Sequence, residues 1–315
     1  MAHGAAGFAT AASSTTVHKA DKYQVWRTEA IRALSSRADA DSLATAAALS
    51  YAYTDPTAAT APTALQLIAR ASDRAPQNAA IAWLRLQLCA ATSNCDTRDA
   101  AIVLRWIDPD NGAAWMAQLT TARKDKDTVE VDRLLSDMAR GTRFDLYYNQ
   151  IVVLMFDALS AARRDIPGSV ASSASATLAA LSAVVSTEIT PRFSPLIDAC
   201  RESGAATERR EDCIKLAKIM QRGDTIMVQM VGFGIEKRFV APDSKEGKSL
   251  AERSHLLEWR SSAAGKLDES ILPWTQNARV HTRLAEMRLR SREEDVCIAL
   301  LRVHKMAVEP TEKHP

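Results

Sequence analysis

The chain has 315 residues and carries 40 Lys plus Arg against 38 Asp plus Glu, a net charge of +2. That length suffices for one large core or two ordinary ones, and near neutrality without a clustered basic face excludes the pattern with which nucleic-acid binders offset phosphate. Hydrophobic residues make up 47% but aromatics only 5%, and because Ala and Leu favour helices while strands favour β-branched and aromatic residues, an all-α protein is predicted.

Residues 1–20, MAHGAAGFATAASSTTVHKA, are small and polar, with no acid or lysine until Lys19. They lack the basic start and long apolar run of a signal peptide, and read as a disordered tail that is either native or stands in place of an export signal.

Between residues 42 and 142 the punctuation is periodic. Pro76 and Asn78 in APQNAAIAW are followed 33 residues later by Pro109 and Asn111 in DPDNGAAW, and Trp83 recurs as Trp115 after 32. Repeats of 20 to 50 residues mark solenoid architectures. One period earlier stands Ser42, a helix N-cap by type, and one period later stand Gly141 and Thr142. Each unit also breaks near its middle, at Asp55 to Pro62, at Ser93 to Thr97 and at Lys124 to Asp127, so each is two helices. The second helices carry apolar residues at helical spacing: Leu65, Ile68 and Ala71; Ile102 and Trp106; Val131, Leu134, Leu135 and Met138. A lone hairpin cannot bury such a face, so neighbouring units are expected to stack.

This pattern resembles the tetratricopeptide repeat. Ala64, Ile68, Ala71 and Pro76 fall at the spacing of that repeat's small, aromatic, small and proline positions, with Ile68 where an aromatic is usual. Trp83 is followed by Leu86, Gln87 and Ala90, where the family has Gly and Tyr further along the helix. The resemblance covers about residues 42–141, one third of the chain. It implies an α-α superhelix of tetratricopeptide-like hairpins over residues 21–142 whose concave face holds a peptide or partner protein. Residues 143–305 form a non-repeating helical region packed on the repeats, and residues 306–315 a tail.

In that second region the predicted helices are 143–164, 171–187, 192–203, 207–222, 224–239, 247–263 and 274–305, with a loop at Ala241 to Glu246 and a connection at Asp268 to Pro273. Two stripes support them: Cys213, Leu216, Ala217 and Met220, then Met227, Met230, Val231 and Ile235. The uncharged stretch Ile166 to Thr187 is long enough to span a bilayer. Its Ser and Thr content, with Ala171, Leu178, Leu181 and Val185 at helical spacing, points instead to a helix of small residues packed between neighbours, and no membrane span is expected.

Four of the five cysteines form close pairs. Cys89 and Cys95 bracket a turn, as do Cys200 and Cys213, and helices joined by short turns bring such pairs within the roughly 7 Å Cα separation a disulfide needs. Closing the longer loop stabilises by about 3 kcal/mol in the chain-entropy model. If the bridges form, the protein belongs in an oxidising compartment such as a bacterial periplasm, and otherwise in the cytoplasm. The competing reading makes them small buried hydrophobes, as Cys297 is under either. No C-x-x-C or H-E-x-x-H motif, nucleophile elbow or phosphate loop is present, and GFGIEKRF at 232–239 lacks the strand and third glycine of a dinucleotide fingerprint. No cofactor or metal is therefore expected.

Trp83, Trp106 and Trp115 are either partner-binding anchors or, since two recur with the period, core. Arg279, Arg283, Arg288, Arg290 and Arg292 are interleaved with Glu286, Glu293, Glu294 and Asp295, so a salt-bridged face is expected, with an acidic partner as the alternative. Three functional readings stand: a non-enzymatic scaffold or adaptor binding a partner protein through its curved surface; an inhibitory or immunity-type protein for one cognate partner; and an enzyme or ligand-binding protein with a site among His255, His281, Arg283, Asp198 and Glu258.

Overall fold

The computed structural model describes residues 11–51, 63–92, 95–163, 174–201, 207–269 and 273–310. Among them are fifteen α-helices, a 3-10 turn, a π-turn and no β-strand, so the chain is all-α. Helix α1 (Ala11–Ser35) begins inside the segment read as a tail, of which residues 1–10 lie outside the described residues. Helices α2 (Ala40–Ser50), α3 (Ala64–Arg74), α4 (Ala79–Ala90) and α5 (Thr97–Ile107) follow. A 3-10 turn at Gly112–Trp115 then runs into α6 (Met116–Lys124), followed by α7 (Thr128–Arg140). Helix α2 packs on α3, α4 on α5 and α6 on α7, and α4 also touches α2 and α6.

Each of these helical turns opens on a polar side chain that closes it locally. Asp39 accepts from the Ser42 amide, Thr63 from Gln66, Asn78 from Ala80 and Ile81, Asp96 from Arg98, Asn111 from Ala113, and Asp127 from Glu130. Such caps satisfy amides that the helix itself cannot, each typically worth about 1 kcal/mol. Asn78 and Asn111 thus do the same work one period apart. The first unit departs from expectation: Asp39 is the cap, and Ser42 is buried within the first turn. The break at Lys124 to Asp127 is a tight turn with Lys126 in the left-handed region, φ 57°. The break at Asp55 to Pro62 lies outside the described residues, as do Ser93 and Asn94.

The second helices keep the expected faces at both ends of the series. Ile68 and Ala71 on α3 are buried, as are Val131, Leu134, Leu135 and Met138 on α7, with Leu65 half-buried. Helix α5 overturns the expectation: it buries Ala100, Ala101 and Leu104, while Ile102 and Trp106 face solvent. With 100° between residues, a stripe through 100, 101 and 104 leaves 102 and 106 on the far side. Alanines suffice on the inner face because α4 supplies the bulk there, with Trp83, Leu84, Leu86 and Leu88 all buried.

Beyond Gly141 come α8 (Tyr148–Ala161), α9 (Ala174–Val184) continuing into the π-turn Val185–Ile189, α10 (Ser194–Arg201) and α11 (Thr207–Met220). Helices α12 (Ile226–Glu236), α13 (Lys245–Glu269), α14 (Pro273–Leu289) and α15 (Glu293–Val303) complete the chain. Helix α8, apolar on most sides in YNQIVVLMFDALSA, lies against α2, α4, α9 and α14, while α6 and α7 pack on α10 and α11. One continuous set of buried side chains runs from Trp26 to Leu301. Leu178, Leu181 and Val185 are buried as their spacing predicts, and Ala171 lies outside the described residues. No helix among the described residues is long and apolar enough to cross a membrane.

Three expectations fail here for tertiary reasons. The helix predicted at 274–305 is two, because the Asn149 amide donates to the carbonyls of Arg290 and Ser291 at 3.0 and 3.3 Å and the Glu293 amide turns to the Asp224 carbonyl at 2.6 Å. Helix α13 runs to Glu269, into the predicted connection. On α12 the buried residues include Val228, Gly232 and Ile235, whereas Met227 is exposed and Met230 and Val231 are half-buried. A Cβ at Gly232 would lie 2.7 Å from the Ala217 carbonyl oxygen, so α12 rolls its glycine edge onto α11. The stripe of Cys213, Leu216, Ala217 and Met220 on α11 is buried throughout.

Candidate functional site

The first helices of the hairpins present small residues to a common side. Ala90 and Ala91 at the end of α4, Thr97 opening α5, and Ala117, Thr120 and Thr121 on α6 leave a cleft of about 470 Å³. Residues 187–192, the end of the π-turn and the segment after it, form another part of its wall, with Tyr51 and Gln87 also lining it. That volume lies within the roughly 300–1,000 Å³ usual for ligand clefts. The hydroxyls of Thr120, Thr121, Thr187 and Thr190 already donate to the carbonyls of Met116, Ala117, Ala183 and Val185. They offer the cleft methyl groups and lone pairs, and the charged side chains of the lining are Glu188 and Arg192.

The single carboxylate of the lining, Glu188, is already engaged. Buried Arg27 on α1 donates to both its oxygens at 3.2 and 2.9 Å, and to the carbonyls of Leu49 and Tyr51 at 2.5 and 2.6 Å. One guanidinium therefore closes the C-terminal end of α2 and pins the π-turn across from it, a charge-assisted, forked arrangement that Lys could not reproduce. Burial raises the pKa of the neighbouring Tyr23 hydroxyl, with Arg27 acting in the opposite direction. Both the amide and the hydroxyl of Thr190 donate to the Val185 carbonyl, at 3.0 and 2.9 Å, completing the five-residue turn. Such π-turns occur often at functional sites.

The paired cysteines are where the sequence placed them. Cys89 and Cys95 are bonded with Cα atoms 5.2 Å apart, Cys200 and Cys213 with Cα atoms 5.7 Å apart, and Cys297 is free and buried. The first bridge ties the end of α4 to the residue before Asp96, the cap of α5. It therefore brackets Ala90 and Ala91 on that wall of the cleft. The second joins α10 to α11, the helices on which α6 and α7 rest.

A second polar cluster lies where the loops around residues 108–111, 143–148, 221–226 and 290–293 meet. Buried Asp108 accepts from the Tyr147 hydroxyl and the Arg143 guanidinium. The Asn111 amide donates to that hydroxyl at 3.0 Å and to the Asp145 carbonyl at 2.9 Å, and its oxygen accepts from the Asp145 amide at 3.0 Å. Tyr147 sits in the left-handed region, φ 58°, and provides no side-chain cap for α8. The carboxyl of Asp224 does so instead, accepting from the amides of Leu146 at 2.9 Å and Tyr148 at 3.2 Å. Burial, helped by the charge of Asp145, pushes Asp224 up to about 8; burial also raises Tyr147 and Glu293. A raised carboxyl often marks an active site. Here both Asp224 oxygens are occupied by backbone amides, so the chemistry is the closing of helix ends.

The residues offered for a catalytic or ligand site do not assemble around the cleft. His255 and Glu258 are exposed on α13, His281 is exposed on α14, Arg283 is half-buried, and Asp198 pairs with Arg201 on α10. None of them lines the cleft. No group of three or more His, Cys, Asp or Glu able to hold a metal exists among the described residues. The arginine run is salt-bridged or bonded to backbone: Arg279 to the Leu267 carbonyl, Arg288 to Asp157, Arg290 to Glu286 and Arg292 to Glu294. Trp83 is core, its ring 6.2 Å from that of Tyr147; Trp115 is half-buried and Trp106 exposed. Arg27, Glu188, Asp108 and Asp224 escaped the sequence reading because their partners lie tens of residues away and no local motif flags them.

No protein family, curated protein or solved structure matches this chain.

Proposed function

We propose that the protein is a non-enzymatic, tetratricopeptide-like scaffold that binds a partner protein through the cleft on its first helices. The observation that carries this reading is the placement of the cleft. It lies across α4 and α6 with the end of α2 beside them, the side that forms the concave, partner-holding face in stacks of this kind. Its threonines, alanines and Gln87 suit the backbone and small side chains of an extended segment, and its only carboxylate is neutralised from behind by Arg27. The two disulfides favour an oxidising compartment such as the periplasm as its place of work.

Ala91→Trp and Thr120→Arg fill the cleft at exposed positions and leave the core untouched. Affinity capture from the native host, with protein prepared without reductant, is expected to recover a partner with wild type and to lose it with both variants, whose melting profiles stay unchanged. Recovery of the same partner by the filled-cleft variants sinks the reading, as does substrate turnover by the pure protein with no partner recovered.

A further inference from the structure

The outward face of α5 carries what a helix normally hides. Trp106 is 70% exposed and Ile102, one turn earlier, 56%; Val129 on the first turn of α7 is 80% exposed. Scattered exposed apolar residues are ordinary, but Ile102 and Trp106 stand one turn apart on the same outward face of α5. Arg98, one turn before Ile102, acts on the Glu130 carboxylate of α7, and Arg105, beside Trp106, feels the charge of Arg133 on the next turn of α7. Both Arg105 and Arg133 lie over the indole of Trp115, at 3.9 and 5.8 Å from its centroid. The outer turns of α5 and α7 thus approach each other, with Ile102 lying between the two charge contacts and Val129 next to Glu130.

The two arginines on this indole differ in one respect. Arg133 is neutralised by Glu130 and Asp137 at 2.6 and 2.5 Å. Arg105 donates to the Gln118 side chain at 2.9 Å and, among the described residues, pairs with no carboxylate. A half-buried guanidinium that faces a like charge and lacks an acid gains from one brought by a partner. Trp and Arg are also the residues that most often dominate binding energy at interfaces.

We propose that this face docks an acidic amphipathic segment of another protein, one that sets a carboxylate on Arg105 and a large apolar side chain on the shelf of Ile102 and Trp106. The surface belongs to second helices, whereas the cleft is formed chiefly by first helices, so the two sites are separable by mutation.

The test is selection of random displayed peptides on the full-length, disulfide-bonded protein, followed by fluorescence-polarisation titration of the enriched sequences. Enriched peptides are expected to carry Asp or Glu within one helical turn of Leu, Phe or Trp. Affinity should fall about tenfold or more in Trp106→Ala and in Arg105→Glu, a change of about 1.4 kcal/mol. Arg105→Glu should regain binding to the peptide whose acid is changed to Lys, and Ala91→Trp in the cleft should bind as wild type does. Enrichment without acids, no enrichment, wild-type affinity in Trp106→Ala, or binding lost in Ala91→Trp each overturn the proposal. So does a dimer seen by sedimentation and removed by Trp106→Ala, since a second copy would then cover the face.

Discussion

Helix ends are closed in two different ways on the two sides of Gly141. At α2 to α5, at the 3-10 turn and at α7 the cap is a side chain two or three residues from the amide it serves, and Asn78 and Asn111 repeat the device 33 residues apart. Past Gly141 local caps persist, as where Thr225 accepts from the Val228 amide at 3.0 Å, but closing groups also come from far along the chain. Asp224 serves the start of α8, Glu293 accepts from the Ile226 amide at the start of α12, and Asn149 holds the end of α14. These partners are 67 to 142 residues apart. Local caps let each hairpin set its own boundaries, whereas distant caps make the start of α8 and the end of α14 properties of the assembled molecule.

The largest expected effect is at Asp224. Replacing it with Ala leaves two buried amides unpaired at about 1–3 kcal/mol each, so urea unfolding should show a loss of about 3 kcal/mol. A loss of under about 1 kcal/mol, the size of a single local cap, would erase the distinction. Asn111 stands on the border between the two regions, being a local cap that also bridges to Asp145 and Tyr147. Asn111→Ala is therefore expected to cost about 2 kcal/mol, where Asn78→Ala, a cap of the same type in the preceding unit, costs about 1 kcal/mol. Equal losses in the same assay would show that the bridge adds nothing.

The distant cap Asp224 and the local cap Asp39 should also answer pH with opposite signs. Asp224, raised to about 8 by burial and by Asp145, binds its proton more tightly folded than unfolded. Its stabilising contribution is complete below the ordinary carboxyl range and declines as pH rises toward 8, with a slope of at most about 1.4 kcal/mol per pH unit. Glu293 and Asp145, raised chiefly by burial, act in the same direction. Asp39 behaves oppositely: burial works against ionisation, but hydrogen bonds from Ser42 hold its pKa below the ordinary value. Its contribution is present above that value and lost as pH falls through the folded one. Unfolding curves between pH 5 and 8 should thus show stability falling as pH rises, with the slope reduced in Asp224→Asn. An unchanged slope in that variant would assign the effect elsewhere.

The site divides along the same line. The cysteine pairs could be read from spacing because their members stand only 6 and 13 residues apart, and α4 and α6 supply much of the cleft. The rest of its wall was not legible. The π-turn begins at the end of an uncharged, serine-rich stretch whose only visible property is helical spacing, and it takes its place because Glu188 meets Arg27 from α1, 161 residues away. Ile102 and Trp106 failed in the other direction. Their spacing is that of a core stripe, yet Ala100, Ala101 and Leu104 satisfy the packing on α4, so the larger residues are left outside.

By itself the sequence determined the helical class and the hairpin boundaries from Asn78 to Thr142, and it set four cysteines in two close pairs whose bonding it left open. Backbone propensity, capping and short-loop closure all act within a few residues, and a linear pattern records them. Only the tertiary structure decided where the predicted helix over 274–305 breaks, which face of α5 and of α12 is buried, and that Arg27 and Asp224 close helices to which they are not adjacent. Those outcomes depend on the competition between distant groups for the same unsatisfied amides and carbonyls. Such a competition exists only once the helices are packed.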